Sequence, residues 1–346
     1  MTTRDAYLVG SVPLGRPMTV FTTIASLLGD RIPRVPDGEG GDRSTWILAQ
    51  YPRLIASSAV EFGSLPPDGF VRRFSYEVPL RAKNGAAAGD VAFGDLGYAN
   101  YAKASYEMFR TLKQLGKIPA QWRFQVNLPT PMDVLSVFES ASRSVVEEAY
   151  ERAMLDEVAK IQSIVPHDEL AIAWDVVKGL LIWEDPEKTA SYVEPWFPNP
   201  KAGVIDRYVR LGNAVAPDVE LGYHLCYGDL NTTHAFQPKD LSACVHVTNE
   251  TAARLQRPIN FIHVPVPADR YDDAYFSPLR TLDTARVRHV YFGLIHYSEG
   301  VDGARRKIGA VEKYMSNFGV AAQCGLGRRP PDQIQRYLEM HAALTG

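Results

Sequence analysis

Several histidine and cysteine side chains stand at the ends of short apolar segments, where metal ligands can converge. One segment ends in His224-Leu225-Cys226, so an imidazole and a thiol are two residues apart. Residues two apart on a β-strand point to the same face, and both side chains would enter the same space. His263 stands near the end of a second segment, and Cys324 directly follows a third. Imidazole nitrogens and thiolates are the donors of a tetrahedral zinc site.

The elements that must position these residues are short strands that alternate with helices. Apolar runs of strand length are Tyr7–Val12, Ile32–Pro36, Trp122–Leu128, Leu170–Asp175, Val219–Cys226, Ile259–Val264, His289–His296 and Phe318–Gln323. Apolar residues recur at helical spacing in Met132–Ile164, Asp240–Leu255, Gly303–Met315 and Asp332–Leu344. This alternation predicts an α/β fold with a parallel sheet. Eight units over this length predict a single (β/α)8 TIM barrel that spans residues 1–346 as one domain.

Two stretches are too long or too irregular for a minimal strand–helix unit. Between strands 2 and 3, the alternating run Phe70–Leu80 precedes a Gly/Ala-rich turn and the sequence VAFGDLGY. This pattern predicts an inserted β-hairpin, followed by a helix at Tyr101–Leu115. Glu184–Lys201, rich in proline and aromatic residues, is typical of a loop over the barrel mouth.

The barrel topology brings these distant residues together. The C-terminal ends of all strands open into one mouth, so strands 5, 6 and 8 can deliver His224, Cys226, His263 and Cys324 to one site. His296 ends strand 7 at the same mouth. The alternative is that a His-x-Cys pair in a strand is ordinary packing. Cys244, inside the helix after strand 5, is expected to be a buried apolar residue.

Composition and charge exclude several classes of protein. The formal net charge of −3 and pI near 6.3 do not suggest a nucleic-acid or anionic-membrane surface. No apolar run reaches the roughly 20 residues needed to span a bilayer, and the first residues lack the pattern of a signal peptide. The three cysteines provide no disulfide framework and suit thiols or metal ligands. We therefore expect a cytoplasmic globular protein.

A series of motifs follows the chain from strand 1 to strand 8. They are Val9-Gly10-Ser11-Val12-Pro13, Asp37-Gly38-Glu39, Phe93-Gly94-Asp95, Trp174-Asp175, His224-Leu225-Cys226-Tyr227, Ile295-His296 and Gln323-Cys324-Gly325-Leu326. Their order resembles that of I-G-S-F-P, H-G-E, I-G-D, D-E-P, H-x-C-Y, D-I-H-S and D-C-G-L in the cobalamin-independent methionine synthase family. The resemblance is to the catalytic C-terminal barrel of that family and to its shorter zinc-dependent relatives.

The resemblance implies a Zn2+ cofactor held by His224, Cys226 and Cys324. The metal would bind the substrate thiol and lower its pKa, which yields a thiolate at neutral pH. In the family the ligand from strand 6 is a glutamate, and the nearest equivalent here is His263. We expect His263 to be the fourth ligand, with Asp229 or Glu299 as the next candidates.

The resemblance also implies substrate-binding and catalytic residues. Ser11, Glu39 and Asp175 would hold the amino-acid end of the thiol substrate, since two carboxylates suit an ammonium group. His296 would shuttle a proton near the leaving group, because imidazole titrates near neutrality. The alternatives are that Glu39 is only a turn residue in a Gly-rich loop and that Asp175 caps a helix.

The methyl donor is expected to differ from that of the family. The family's tryptophan after strand 3, which lies against the folate, has no counterpart in Leu128-Pro129-Thr130-Pro131, and the chain begins just before strand 1. Trp183, Tyr192 and Trp196 are candidates to line a different donor pocket. We therefore expect a thiol amino acid such as homocysteine to bind more readily than methyltetrahydrofolate.

Together these features predict an enzyme, a methionine-synthase-like transferase that moves a methyl or small alkyl group to or from a zinc-activated thiol. One alternative is a zinc-dependent C–S lyase or alkyl-thiol transferase, and another is a non-catalytic barrel that binds a small thiol or amino acid. The expected partners are a small-molecule thiol and a methyl or alkyl donor, without nucleic acid or membrane. The sequence carries no signal for the oligomeric state.

Overall fold

Parallel strands that are buried on both faces form the centre of the molecule. The computed structural model of the protein describes residues 4–64, 78–184, 194–230 and 233–346. In chain order the strands are β1 (Ala6–Tyr7), β2 (Arg34–Pro36), β3 (Val60–Phe62), β4 (Leu80–Ala82), β5 (Arg123–Pro129), β6 (Leu170–Val176), β7 (Glu220–Leu225), β8 (Asp229–Leu230), β9 (Thr233–His234), β10 (Phe261–Pro265), β11 (Val290–Ile295) and β12 (Gly319–Ala322). Eight of them form one sheet in the order β1-β12-β11-β10-β7-β6-β5-β2. Each of the eight overlaps one of the segments predicted as strands, so the parallel eight-stranded sheet is confirmed.

The sheet curls until its two edge strands, β1 and β2, almost meet. Just beyond their C-terminal ends, Ser11 and Gly38 form an isolated parallel bridge. There the Val12 amide donates to the Gly38 carbonyl at 2.9 Å. We call this junction the β1–β2 seam. The result is a nearly closed barrel of the TIM type.

Side chains alternate between the barrel interior and the surrounding helices, as the two-residue period of a strand requires. In β6, Ala171 and Ala173 belong to a small interior cluster with residues of β1, β10, β11 and β12, whereas Ile172 and Trp174 pack in the outer core. Asp175 follows the interior series and faces inward. In β7 the interior position Gly222 leaves space that Phe261 fills, since a Cβ there would lie 2.1 Å from the Phe261 ring.

Helices surround the barrel. They are α1 (Pro17–Leu27), α2 (Tyr51–Ile55), α3 (Tyr98–Gln114), α4 (Pro131–Leu135), α5 (Ser140–Ile164), α6 (Lys178–Glu184), α7 (Pro200–Asn213), α8 (Ser242–Arg254), α9 (Asp273–Phe276), α10 (Gly300–Val311) and α11 (Ile334–Leu344). Among the described helices, none combines the length and the apolar character that a membrane span needs.

The predicted helix Met132–Ile164 is two helices, α4 and α5. Residues 136–139 leave the helical path because they bond to the strand β4. The Leu80 amide donates to the Val137 carbonyl at 3.0 Å, and the Glu139 amide donates to the Leu80 carbonyl at 2.8 Å. A contact from the insertion therefore breaks a segment whose local pattern is helical.

The insertion between the second and third barrel strands contains an antiparallel pair, β3 with β4, in which Glu61 lies opposite Arg81. Most of the predicted hairpin strand Phe70–Leu80 lies in residues 65–77, outside the described part of the chain. The sequence VAFGDLGY forms no strand, and α3 begins at its last residue, Tyr98. This helix occupies the place predicted for Tyr101–Leu115.

Candidate metal centre and substrate cavity

The mouth of the barrel brings His224, Cys226 and Cys324 into one group. His224 and Cys226 come from the end of β7, and Cys324 follows β12 by two residues. The Sγ atoms of Cys226 and Cys324 are 3.6 Å apart, and Cys324 Sγ is 3.7 Å from His224 Nε2. All three donor atoms lie within 4.8 Å of one another, close enough to hold a metal ion.

These separations are compatible with a tetrahedral zinc ion. Tetrahedral coordination with Zn–S near 2.3 Å and Zn–N near 2.0–2.1 Å requires about 3.8 Å between two sulfurs and about 3.6 Å between sulfur and nitrogen. The observed edges of 3.6 and 3.7 Å are close to both values. Thiolate ligands also select soft or borderline cations such as Zn2+ over Mg2+ or Ca2+. The donor set therefore suits a zinc ion with three protein ligands.

The electrostatics of the group also suit a cation. Burial, together with the neighbouring His263, holds the pKa of His224 well below its ordinary value, so its ring is neutral and able to bind a metal. The adjacent Cys324 thiol and burial raise the pKa of Cys226 well above its ordinary value. Two thiolates this close repel each other, and a divalent cation between them would remove that penalty.

The structure does not bring His263 into this group. Its side chain points inward as expected, but it pairs in register with His224 on the neighbouring strand and lies beside it. His263 Nδ1 is 2.7 Å from His224 Nδ1, and His263 Nε2 donates to the Ala322 carbonyl at 3.0 Å. Both ring nitrogens therefore have partners other than a metal, which corrects the expectation of a fourth ligand.

The two carboxylates considered as substitutes are also outside the group. Asp229 lines the cavity above the metal ligands, but it forms an ion pair with Arg329 at 3.0 Å, in which both side chains are about 1% exposed. Glu299 pairs with Lys307. Within the described ranges, the group consists of three ligands.

A cavity of about 580 Å³ opens directly above the three ligands. Its wall carries the residues predicted to bind substrate, Ser11, Glu39 and Asp175, and also the unpredicted Trp46. The structure thus places the three candidate substrate-binding residues and the three candidate metal ligands around one space.

The half-buried Glu39 and the buried Asp175 place two carboxyl groups on this wall. Burial and the proximity of Asp175 raise the pKa of Glu39 to about 8, and burial is the main cause of the rise in the pKa of Asp175 to about 8. Asp175 accepts two hydrogen bonds, one from the Asn127 side chain at 3.2 Å and one from the Trp46 indole N–H at 3.3 Å. A cation placed between the two carboxylates would allow both to ionise.

The alternative roles considered for Asp175 and Glu39 are a helix cap and a turn residue, respectively. Asp175 caps no helix, because the amides of Val177 and Lys178 at the start of α6 donate to Asp133 instead. Glu39 does lie in a tight turn, since its φ is 51°. That turn directs the carboxylate into the cavity wall, so the turn role and the cavity role are compatible.

Ser11 connects the β1–β2 seam to the loop that carries Cys324. Its Oγ accepts a hydrogen bond from the Gly327 amide at 3.1 Å. A Cβ at Gly325 would lie 2.4 Å from the same oxygen, and one at Gly327 would lie 2.8 Å from the Ser11 Cβ. These glycines let the loop pass against Ser11, which holds Cys324 near the other ligands.

His296 is not among the residues that line the cavity. Its Nε2 donates to the Val266 carbonyl at 2.9 Å. Burial, and next the positive charge of Lys307, lower the pKa of His296 to about 3. A ring that stays neutral and bonded to the backbone is poorly placed to give a proton to a leaving group at neutral pH.

The two tryptophans expected to line a donor pocket, Trp183 and Trp196, are not among the residues that line the cavity. Trp183 donates to the Lys201 carbonyl and Trp196 to Glu147, while Tyr192 lies outside the described residues. Trp46 is the tryptophan on the cavity wall, and its backbone has an unusual φ of 55°. No sequence signal marks that conformation. Asn127, by contrast, was visible as a polar residue at an inward position of an apolar strand.

Comparison with known proteins yields a likeness in fold. No protein-family model matches the sequence, and no curated protein matches it. Among solved structures, a B12-independent methionine synthase from Shewanella sp. W3-18-1, in complex with selenomethionine, matches with a TM-score of 0.58. The match covers 99% of this chain and 96% of that chain at 13% sequence identity. At this identity the match shows that the two chains share a fold.

Proposed function

We propose that the protein is a zinc-dependent transferase, similar to methionine synthase, that moves a methyl or small alkyl group to or from a thiol. One observation carries the proposal. An imidazole nitrogen and two thiols, spaced as zinc ligands, form the floor of a cavity whose wall bears a carboxylate pair. The likeness in fold to a methionine synthase supports the same conclusion.

A zinc ion with three protein ligands suits a catalytic site better than a structural one. Structural zinc sites use four protein ligands, whereas catalytic sites use three and keep one position open. A zinc ion held by His224, Cys226 and Cys324 would take the substrate thiol at the open position and lower the thiol pKa. The rest of the reaction depends on how the chain holds the substrate.

Glu39 and Asp175 would bind the ammonium group of a thiol amino acid. Burial and the nearby Asp175 raise the pKa of Glu39, and burial raises the pKa of Asp175. Ionising both groups is therefore costly, and a substrate cation would offset that cost. The Trp46 and Asn127 hydrogen bonds hold Asp175 in place. The clamp would fix the acceptor so that its sulfur points down towards the metal ligands.

The cavity has space for two reactants. Its volume of about 580 Å³ lies within the range of roughly 300–1,000 Å³ typical of ligand pockets. In the transfer, a sulfur–carbon bond forms while the bond between carbon and donor breaks. The bonding pair leaves with the donor, and the proton that the thiol gave up is available to it. His296 takes no part in this proposed transfer, because it does not line the cavity and is bonded to the Val266 carbonyl.

Titration calorimetry on zinc-loaded protein tests the substrate class. We expect homocysteine to bind more tightly than a simple alkyl thiol and more tightly than methyltetrahydrofolate. Glu39→Gln should reduce the preference for homocysteine over the alkyl thiol. Glu61→Gln, in the β3–β4 pair where Glu61 bonds to Arg81, serves as the matched control and should not change it.

The same experiment separates the rival functions. Equal affinity for homocysteine and the alkyl thiol would remove the ammonium clamp and favour an alkyl-thiol transferase or a C–S lyase. Tight binding of methyltetrahydrofolate, with methyl transfer to homocysteine detected by mass spectrometry, would identify folate as the donor. A wild-type protein that takes up no zinc would contradict the enzyme proposed here.

A further inference from the structure

The His224 ring has a different neighbour on each side. Its Nε2 faces the sulfur of Cys324 at 3.7 Å, and its Nδ1 lies 2.7 Å from Nδ1 of His263. The other nitrogen of His263, Nε2, lies 3.0 Å from the Ala322 carbonyl oxygen. A continuous chain of contacts thus runs from a backbone carbonyl, through two imidazoles, to the thiol pair.

The direction of these hydrogen bonds follows from the carbonyl end. A carbonyl oxygen can only accept, so the proton of the His263 ring must be on Nε2. A second proton on Nδ1 would make His263 a cation with 0% exposure. In the described part of the chain, its ring contacts include the His224 imidazole, the Ala322 carbonyl and the Tyr7 ring, and none of these groups is an anion. Because an unpaired buried charge costs several kcal/mol, His263 is neutral and its Nδ1 accepts.

The acceptor on His263 determines the proton position on His224. A contact of 2.7 Å between two ring nitrogens needs one donor, and that donor is Nδ1–H of His224. The single proton of a neutral His224 is then accounted for. Its Nε2 carries a lone pair directed at the thiols, which is the form that a metal ion requires.

We propose that His263 is a positioning residue that fixes His224 in the tautomer able to bind metal. The inference rests on the zinc site proposed above. It assigns His263 a role outside the ligand set: its Nδ1 orients a ligand and does not contact the metal. Partners of this kind commonly change metal affinity by about 10–100-fold.

Packing keeps the His263 ring in the required orientation. The ring lies 5.7 Å from the Tyr7 ring, centroid to centroid. A Cβ at Gly293 on the adjacent strand β11 would lie 3.2 Å from His263 Nε2 and 2.7 Å from the Gln323 backbone. The missing side chain at Gly293 therefore leaves the space in which Nε2 reaches the Ala322 carbonyl.

Two substitutions separate positioning from mere filling of space. His263→Asn places an amide oxygen near the position of Nδ1, so it keeps an acceptor for His224. His263→Leu removes the acceptor. His341→Leu is the matched control, because His341 is also a fully buried histidine bonded to a backbone carbonyl, but it lies on helix α11.

Zinc affinity, measured by competition with a chelator, should fall about 10–100-fold in His263→Leu. It should stay within a few-fold of wild type in His263→Asn and His341→Leu. X-ray absorption at the zinc edge should show the same set of nitrogen and sulfur ligands in wild type and both His263 variants. Nitrogen NMR of histidine-labelled, metal-free protein should show His224 as the Nδ1–H tautomer in wild type and a mixture in His263→Leu.

Wild-type affinity in His263→Leu would overturn the inference and leave the zinc site intact. Loss of one nitrogen ligand in both His263 variants would also overturn it, because His263 would then be a ligand itself. An Nε2–H tautomer of His224 in metal-free wild type would contradict the proton assignment without involving zinc. A wild type that binds no zinc would overturn the metal site, and this inference with it.

Discussion

Replacing Cys226 by alanine should remove zinc from the protein without unfolding it. The Cys226 sulfur is 3.6 Å from that of Cys324, so the change deletes one ligand of three from a preformed group. Zinc sites with four ligands bind with apparent free energies of roughly 10–16 kcal/mol, or about 2.5–4 kcal/mol per ligand. Since each 1.4 kcal/mol is a factor of ten, the affinity should fall by roughly 60- to 700-fold.

The chain offers a matched control for this change. Cys244 is also buried, but it is not one of the three candidate ligands. Its sulfur lies 3.2 Å from the Tyr227 hydroxyl. Cys244→Ala therefore removes the same atom from a similar environment and should retain the affinity of wild type. Both variants should unfold cooperatively. Added zinc should stabilise wild type and Cys244→Ala but not Cys226→Ala, because the stabilisation by a ligand rises with the ratio of its concentration to its Kd.

The assay is metal analysis after dialysis, followed by chelator competition. A Cys226→Ala protein that binds zinc as tightly as wild type would refute the assignment of this thiol as a ligand. Equal loss of zinc from both variants would refute it differently, because the effect would then come from general damage to the core.

Further changes test other parts of the structure. Asp175→Asn should weaken the binding of homocysteine, measured by calorimetry, by about ten- to a hundredfold, as expected for a charge-assisted hydrogen bond of about 1.5–3 kcal/mol. The binding of an alkyl thiol should change little. Equal losses of affinity for both ligands would contradict the clamp. Gly222→Ala should lower the free energy of unfolding in denaturant by about 1–3 kcal/mol through overpacking against Phe261, and a stability equal to wild type would contradict the close contact. Arg329→Met should cost about 3–5 kcal/mol in the same measurement, because it removes the arginine from its buried ion pair with Asp229. A neutral effect would show that this ion pair is not needed.

Much of the barrel could be predicted because its strands are buried on both sides. A parallel strand covered by helices is a continuous apolar run, and Leu170–Asp175 is such a run within β6 (Leu170–Val176). The division of Met132–Ile164 into two helices could not be predicted in this way. It depends on hydrogen bonds between Leu80 and residues 137 and 139, and a local pattern carries no information about a partner so distant in sequence.

For the site, the face and the barrel end of each ligand could be predicted, but its depth along the strand could not. The two-residue spacing of His224 and Cys226 determines a shared face, and the barrel topology determines a shared end. The depth of a side chain along its strand depends on register, which the sequence does not show. His263 is level with His224, and the inward position one step nearer the mouth is Pro265, which has no donor atom. A residue of the right type on the right face therefore became a neighbour of a ligand.

The β1–β2 seam is a short part of the barrel wall beside the substrate cavity. Among the described residues, the Val12–Gly38 backbone bond and the isolated Ser11–Gly38 bridge hold it, whereas β6 and β7 pair over six residues. Ser11 and Glu39 lie on its two sides and both line the cavity. An amino acid bound between Ser11 and Glu39 would connect the two sides of the β1–β2 seam. Amide hydrogen exchange at Val12 should then slow when substrate binds, so ligand capture would complete the barrel wall.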